Sequence, residues 1–544
     1  MRAELRFSPD PRIDDVDATG APRPLRIVTP PAHAIWAVRA LIAMALVELA
    51  LFLGWLLRPE HRGDALPFWL LTATLAFKVF RWTHIWYQYF WVHEVPRRPA
   101  RRSFTVDVFT TACPGEPREM IERTLRAMVR MRHPHRSFLC DEGDDPELRA
   151  LCRTLGVTHV TRTNRKDAKA GNVNNALRQS DGEICVVLDP DHEPSPSMLE
   201  NVLGYFEDES VGFVQTVQGY RNQGASLIAR GAAEQTYQFY GPMMMGMQRH
   251  GVVQAIGANC AFRRKALESI GGHAAGLAED MHTAMRLYAK GWRSVYVPEM
   301  LTRGLVPSSL GAYYKQQLKW ACGCFDLLLY AYPRLFRHFT LQQKVHYFCK
   351  PLYYARGLFG LLDVALPILC LTTGLVAWRI SPVEFAIWYV PLLLLAALVH
   401  FATQWWLLEP GEQGSHTLGG ILKTGTWWVY LAGMICSVCR IKVPYIPTPK
   451  EDIPENAWLL SLPNAAVVLA SLGAIAYGLS RDWSPHSLLM AVFAGWNAIA
   501  LGFVVVVAQQ KAGDDLRALL GRWADRSRAR VAAMTTALDY RSFS

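Results

Sequence analysis

The sequence predicts an α-helical membrane protein, with about six spanning helices plus interfacial ones, into which a cytosolic α/β domain is inserted. Three observations carry this prediction. The 544 residues are 51% hydrophobic with 18 Trp, yet the formal net charge is +11, so apolar segments stand beside a basic soluble part. Apolar runs long enough to cross a bilayer flank a middle stretch that has none. Within that stretch short β-branched runs alternate with helical periodicity, the pattern of a largely parallel sheet with ligand-binding loops at its strand C-terminal ends. A basic surface suits nucleic acid, anionic lipid or phosphorylated ligands. No basic-aromatic nucleic-acid motif occurs, which leaves membrane and phosphorylated partners. The 11 Cys are odd in number and scattered, so they form neither a disulfide framework nor a zinc site.

Taken in order, residues 1–34 are polar and Pro-rich, and read as a cytosolic tail rather than a signal peptide. Residues 35–95 hold two apolar segments, Trp36–Leu57 and Leu66–Val92, joined tightly as a helical pair. The basic run Arg97-Arg98-Pro99-Ala100-Arg101-Arg102 then places this side in the cytosol. Residues 103–338 form the α/β domain. Strands are expected at Phe104–Thr110, Arg136–Cys140, Val157–Thr161 and Glu183–Leu188, with helices at Arg118–Met131, Glu147–Leu155 and Lys169–Ser180. The domain ends in an amphipathic helix, Ser308–Phe336, suited to a membrane surface. Residues 351–408 supply two more spans, Pro351–Trp378 and Phe385–Leu408. In 415–455, Leu418–Cys439 is apolar but broken by Gly419-Gly420 and Gly425, so it is expected to lie along the interface and keep the polar loop after it in the cytosol. Residues 457–508 give the last spans, Ala457–Leu479 and Leu488–Ala508, and the Arg-rich 509–544 returns to the cytosol.

The chemistry gathers at strand ends. Asp189-Pro190-Asp191 closes an apolar strand, and residues two apart point the same way, so two carboxylates leave one strand end on one side. With no thiolate or imidazole counted among its ligands, such a pair suits a hard cation, Mg²⁺ or Mn²⁺. A strand-end turn explains Asp and Pro equally well. Asp141 fits a turn or helix cap. Lys169 fits a solvated helix-start cation. Glu279 and Asp280 open the helical stretch Met281–Lys290, where acidic residues are common. Gln316 and Trp320 are four apart and share a helix face, with Gln317 and Lys319 between them.

Five signatures occur in order: Asp141; Lys169-Ala170-Gly171-Asn172; Asp189-Pro190-Asp191-His192; Ala278-Glu279-Asp280; and Gln316-Gln317-Leu318-Lys319-Trp320. This order resembles the processive family 2 glycosyltransferases, and in detail the bacterial cellulose synthase catalytic subunits and related β-glucan synthases. Tyr445-Ile446-Pro447-Thr448-Pro449-Lys450-Glu451-Asp452 is similar to that family's gating loop, with Thr448 and Lys450 kept, and Tyr445 and Pro447 standing where Phe and Val are usual. The resemblance implies a GT-A-type domain and a one-step inverting transfer from a UDP-sugar, UDP-glucose first, to a growing polysaccharide. UDP-N-acetylglucosamine, GDP-mannose and a non-processive lipid-linked transfer are the alternatives.

In this resemblance Asp280, with Glu279, is the general base. Asp141, Lys169, Asp189 and Glu116 bind the donor nucleotide, and Asp189 and Asp191 hold Mg²⁺ or Mn²⁺. Gln316, Gln317, Lys319 and Trp320 meet the acceptor and diphosphate. The implied setting is the bacterial inner membrane, with lipid and accessory export subunits as partners and no nucleic acid. Two departures stand out. Lys319 replaces the usual Arg and cannot make its planar bidentate contact. Cys113-Pro114-Gly115 stands before Glu116 where a Tyr-Asn is common.

Overall fold

The computed structural model describes residues 25–444, 455–515 and 524. Nine strands form one mixed sheet: β1 Leu25–Arg26, β2 Val106–Ala112, β3 Arg136–Asp141, β4 Thr158–Val160, β5 Ile184–Val187, β6 Glu193–Pro194, β7 Val211–Tyr220, β8 Cys260–Arg263 and β9 Arg293–Gly304. Their order is β1-β9-β7-β8-β5-β2-β3-β4, with β6 beside β9. Strands β4, β3, β2 and β5 are parallel, as alternating strands and helices predict. Strand β8 then runs antiparallel to both β5 and β7, so the sheet is less parallel than expected. That reversal matters for the site. Val187 pairs with Cys260, so the chain entering β8 lies beside the chain leaving β5.

Local chemistry explains the elements. β5 is buried along its whole length, which is why it reads as an unbroken apolar run rather than an alternating one. The helix Pro146–Leu155 has Asp145 as its cap, accepting from Glu147 N at 2.9 Å, Pro146 in its first turn and left-handed Gly156 at its end. The predicted tail is partly docked. β1 pairs with β9, and Arg26 reaches Glu94 at 3.2 Å and Glu299 at 3.1 Å. Glu299 is fully buried and also meets Arg97 at 2.8 Å. A carboxylate buried that deeply requires cationic partners, and they fasten both ends of the first helical pair to the sheet.

Five described helices are long and apolar enough to cross a membrane: Ala32–Leu56, Arg356–Thr373, Pro382–Trp406, Trp458–Arg481 and Pro485–Val507. The expected span at Leu66–Val92 folds as Ala65–Phe90, 26 residues, but Lys78, Arg81 and His84 lower its apolarity and it is not among the five. Leu418–Cys439 breaks at Thr426 into Thr417–Gly425 and Trp427–Val438. The second piece has 12 residues, roughly 18 Å of helix, too short to cross. The expected surface helix Ser308–Phe336 is straight only over Leu310–Asp326. It is lined with buried residues because Trp427–Val438 covers one side, where Gly433 lets Ala321 approach so closely that a Cβ there would lie 2.6 Å from the Ala321 side chain.

One apolar core runs through both halves. Phe109, Phe138 and Phe262 on one sheet face belong to the same packed cluster as Trp86, Leu366 and Tyr430 of the helices, while the other face has its own core under Arg118–Val129.

Candidate active site

The expected strand-end residues converge where β3, β5 and the entry to β8 meet the start of the helix Glu279–Ala289. Lys169 opens the helix Ala168–Leu177 from two residues of positive φ, Asp167 at 64° and Ala168 at 43°. Gly171 permits that tight entry, since a Cβ there would lie 2.1 Å from the Lys166 carbonyl oxygen. Asn172 donates to Cys140 O at 2.8 Å and ties the helix to the end of β3. Lys169 is thereby aimed inward. Its ammonium pairs with Asp189 and donates to Gly257 O at 2.5 Å. Burial alone would lower its pKa, but Asp189, Glu279 and Asp280 outweigh burial and hold it above the usual lysine value.

The two aspartates divide their tasks. Asp189 is the more open, at 31% side-chain exposure, and carries the ion pair with Lys169. Asp191 is 1% exposed and accepts from Leu305 N at 2.8 Å. His192 completes a cluster the sequence reading had left without an imidazole. Asp189, Asp191 and His192 each place one ligand atom within 4.8 Å of the others. The His192 ring fits because Gly304 faces it: a Cβ there would lie 2.3 Å from the ring. Two carboxylates and one imidazole at that spacing suit Mn²⁺ or Mg²⁺.

Asp280 lies across from this cluster. Its Oδ1 accepts from Met281 N at 2.7 Å. Its Oδ2 side borders Gly257, whose φ of 77° carries the backbone past the carboxylate. Burial, then the Glu279 charge, push Asp280 up to about 7. Burial raises Glu279 as well, against the pull of Lys169 and Lys319. An acid poised near neutrality can take a proton from a substrate hydroxyl and release it at ordinary pH.

Asn174 positions this carboxylate pair and was missed on the sequence. It donates to His273 O at 2.9 Å and accepts from His273 N at 2.8 Å, pinning the loop that leads to Glu279. On the far side, Gly323 presses on the same loop, where a Cβ would lie 2.8 Å from Ala278. Lys319 is one turn before Gly323 on that face and within electrostatic reach of Glu279. Gln316 and Trp320 are half-buried neighbours in the same helix, and Trp320 packs against the shared core.

Three expected residues have partners that hold the fold. Gln317 turns away: it is 4% exposed and accepts from Tyr430 Oη at 3.0 Å, fastening its helix to Trp427–Val438. Asp141 is 2% exposed, and both its oxygens are engaged, by Gly143 N at 2.8 Å, Asp145 N at 2.7 Å and His159 Nε2 at 2.9 Å. It satisfies the turn reading that the sequence left open. Glu116 accepts from Cys113 N at 2.8 Å and closes the loop after β2. Tyr445, Thr448 and Lys450 lie outside the described residues.

Residues 184–402, from β5 through the helix Pro382–Ala402, match the Glycosyl transferase family group 2. The chain carries a family 2 glycosyltransferase domain. It is similar to the cellulose synthase catalytic subunit (UDP-forming) of Xanthomonas axonopodis pv. citri, 31% identical over 262 residues, which are 46% of this chain and 36% of that one. The corresponding Pseudomonas fluorescens subunit is 25% identical over 486 residues, 81% of this chain and 64% of that one. The matches thus span less than two thirds of either relative. A mannosyltransferase from Pyrobaculum calidifontis, solved with GDP-Man and Mn²⁺, is 18% identical with a TM-score of 0.45, covering 74% of this chain and 100% of that one. In this glycosyltransferase domain Lys169 is within reach of both the metal-suited cluster and Asp280.

Proposed function

We propose that this chain is a membrane-embedded, processive, inverting β-glycosyltransferase. It adds glucose from UDP-glucose to the non-reducing end of a β-glucan, with β-1,3, mixed or β-1,4 linkage, and passes the chain through its own helices. The observation that carries this reading is the half-buried Asp280, pushed up to about 7, within reach of the same Lys169 that pairs with Asp189 of the Asp189, Asp191 and His192 cluster. In the transfer, the acceptor hydroxyl oxygen bonds the anomeric carbon as the bond from that carbon to the diphosphate oxygen breaks. The hydroxyl proton passes to an Asp280 carboxylate oxygen. Lys169 and Lys319 offset the charge that builds on the departing diphosphate. A divalent cation held by Asp189 and Asp191, with His192 beside them, would neutralise the rest. Glu279 needs no nucleophilic role, because inversion takes one displacement.

Purified protein in lipid nanodiscs with Mn²⁺ or Mg²⁺ and radiolabelled UDP-glucose is expected to give insoluble polymer. Digestion by β-1,4-, β-1,3- and mixed-linkage-specific glucanases then assigns the linkage. Polymer only from UDP-N-acetylglucosamine or GDP-mannose would overturn the donor. A single-sugar product on lipid would overturn processivity.

A further inference from the structure

Beyond Asp280, toward the helix bundle, lies a cluster of cations, Arg81 buried and the others half-buried, that the transfer chemistry does not use. Arg81 comes from Ala65–Phe90, Lys350 and Arg356 from the turn into Arg356–Thr373, and Lys423 from Thr417–Gly425. The Arg81 and Arg356 guanidinium carbons sit 4.6 and 4.8 Å from the centre of one ring, Tyr353. Lys350 lies 3.5 Å from the Phe239 ring centre. Among the described residues none of these four makes an ion pair with a carboxylate: Glu234, within electrostatic reach of Lys423, pairs with Arg230 instead. Lys350 is within electrostatic reach of both Arg81 and Asp280, and Lys423 within reach of Arg81 and Arg356, so the cluster continues from the catalytic carboxylate into the bundle.

A second observation is independent of charge. Arg81 is 8% exposed and its Nε has no partner, while both ring nitrogens of His84 and of His346 are buried without one. Arg81 Nε–H and one ring N–H of each neutral imidazole are thus donors left unanswered. Buried cations crowded together cost several kcal/mol unless an anion answers them. A neutral sugar offers hydroxyl acceptors but no charge, so it leaves the cations uncompensated.

We propose that this cluster is a carboxylate-binding subsite for the growing polysaccharide, and that hexuronate residues are interspersed among its glucose units. This rests on the polymerising reading above and goes beyond it in the product: glucose alone does not supply the charge. A lipid phosphate is the competing occupant. Burial of Arg81 inside the bundle and the nearness of Lys350 to Asp280 favour the polymer.

The test uses the full chain in phosphatidylcholine nanodiscs, with a β-linked oligoglucuronate and a neutral cello-oligosaccharide of equal length as probes. The acidic oligomer is expected to bind at least about tenfold more tightly, an advantage that shrinks as salt rises. Arg356→Gln should remove most of that advantage and Arg356→Lys should keep it. Equal binding of the two oligomers to the unaltered protein overturns the subsite, and needs no variant to fold. Loss of the advantage in phosphatidylglycerol nanodiscs assigns the cations to lipid and also overturns it. A parallel polymer assay supplies UDP-glucose, UDP-glucuronate or both, and an acidic polymer is expected. Neutral polymer with no acidic preference in binding sinks this inference and leaves the polymerising reading standing. No polymer from any donor sinks that reading, while the binding arm still decides the anion preference.

Discussion

At the scale of single residues, the argument turns on which carboxylates are free to act. Asp280 is expected to titrate near 7, and only its ionised form accepts a proton. Activity should therefore rise with pH through about 7 and then level off, as measured by initial rates at saturating donor. Glu279 is the neighbouring charge that lifts Asp280, so Glu279→Gln should move that rise to lower pH. A profile unmoved by Glu279→Gln would mean that the titrating group is not Asp280. Asp280→Asn should cut turnover by about a hundredfold or more while leaving UDP binding intact. Chelation should abolish turnover and Mn²⁺ should restore it. Asp191→Asn should weaken Mn²⁺ binding, read directly from the spin-resonance signal of free Mn²⁺, and a variant that binds Mn²⁺ undiminished would remove Asp191 from the metal site. These residues were legible in the sequence because short motifs at a strand end and a helix start carry them. Asn174 and Gly257 were not: their partners lie 99 and 88 positions away, and no local pattern records such pairings. Gln317 was misplaced for a related reason. Its motif neighbours face the site, but one position around a helix is about 100° of rotation, which turns its amide to Tyr430.

At the scale of elements, the helix Leu310–Asp326 works as a spacer between two surfaces. Its Gly323 side bears on Ala278, and its Ala321 side bears on Gly433. Both contacts are backbone-close, so the helix has no slack in either direction. Gly323→Leu should push the 277–278 loop and displace Asp280 from its place beside Lys169. The expected result is a loss of turnover with little change in UDP affinity, measured by separate rate and binding assays. Loss of both together would mean that the whole domain is disturbed and would refute the spacer role. Asn174→Ala attacks the same loop from the other side by removing two hydrogen bonds, worth about 1–3 kcal/mol together. It should reproduce the effect on turnover. The periodicity of the sequence located these helices within a few residues, because apolar spacing and caps such as Asp145 and Ser309 are local. It did not reveal that β8 inserts antiparallel. Cys260–Arg263 is four residues long, and its direction is set only by its neighbours β5 and β7.

At the scale of the whole molecule, the glycosyltransferase domain and the helices are one packed object. The sheet face carrying Phe109, Phe138, Phe213 and Phe262 belongs to the same apolar cluster as Trp86, Tyr347, Leu366 and Tyr430. The sequence suggested separable parts, since composition changes sharply at residue 103 and again after 338. Composition reports what each segment contains, not what it is packed against. The helix Leu310–Asp326 shows the difference: it looks amphipathic in isolation, yet its apolar side is covered by protein. A fragment of residues 103–338 would uncover that side together with Met244, Met245 and Met247, which belong to the same core, an apolar patch of the kind that drives association. The fragment should therefore associate or bind a hydrophobic dye, and melt without a cooperative transition, while the full chain in lipid melts cooperatively. Analytical ultracentrifugation and dye fluorescence on the fragment decide it. A monomeric fragment with a sharp melt would show that the domain's stability is independent of the bundle. Coupling through the bundle would then need another basis, because the Ala278 loop reaches the helices only through that shared core.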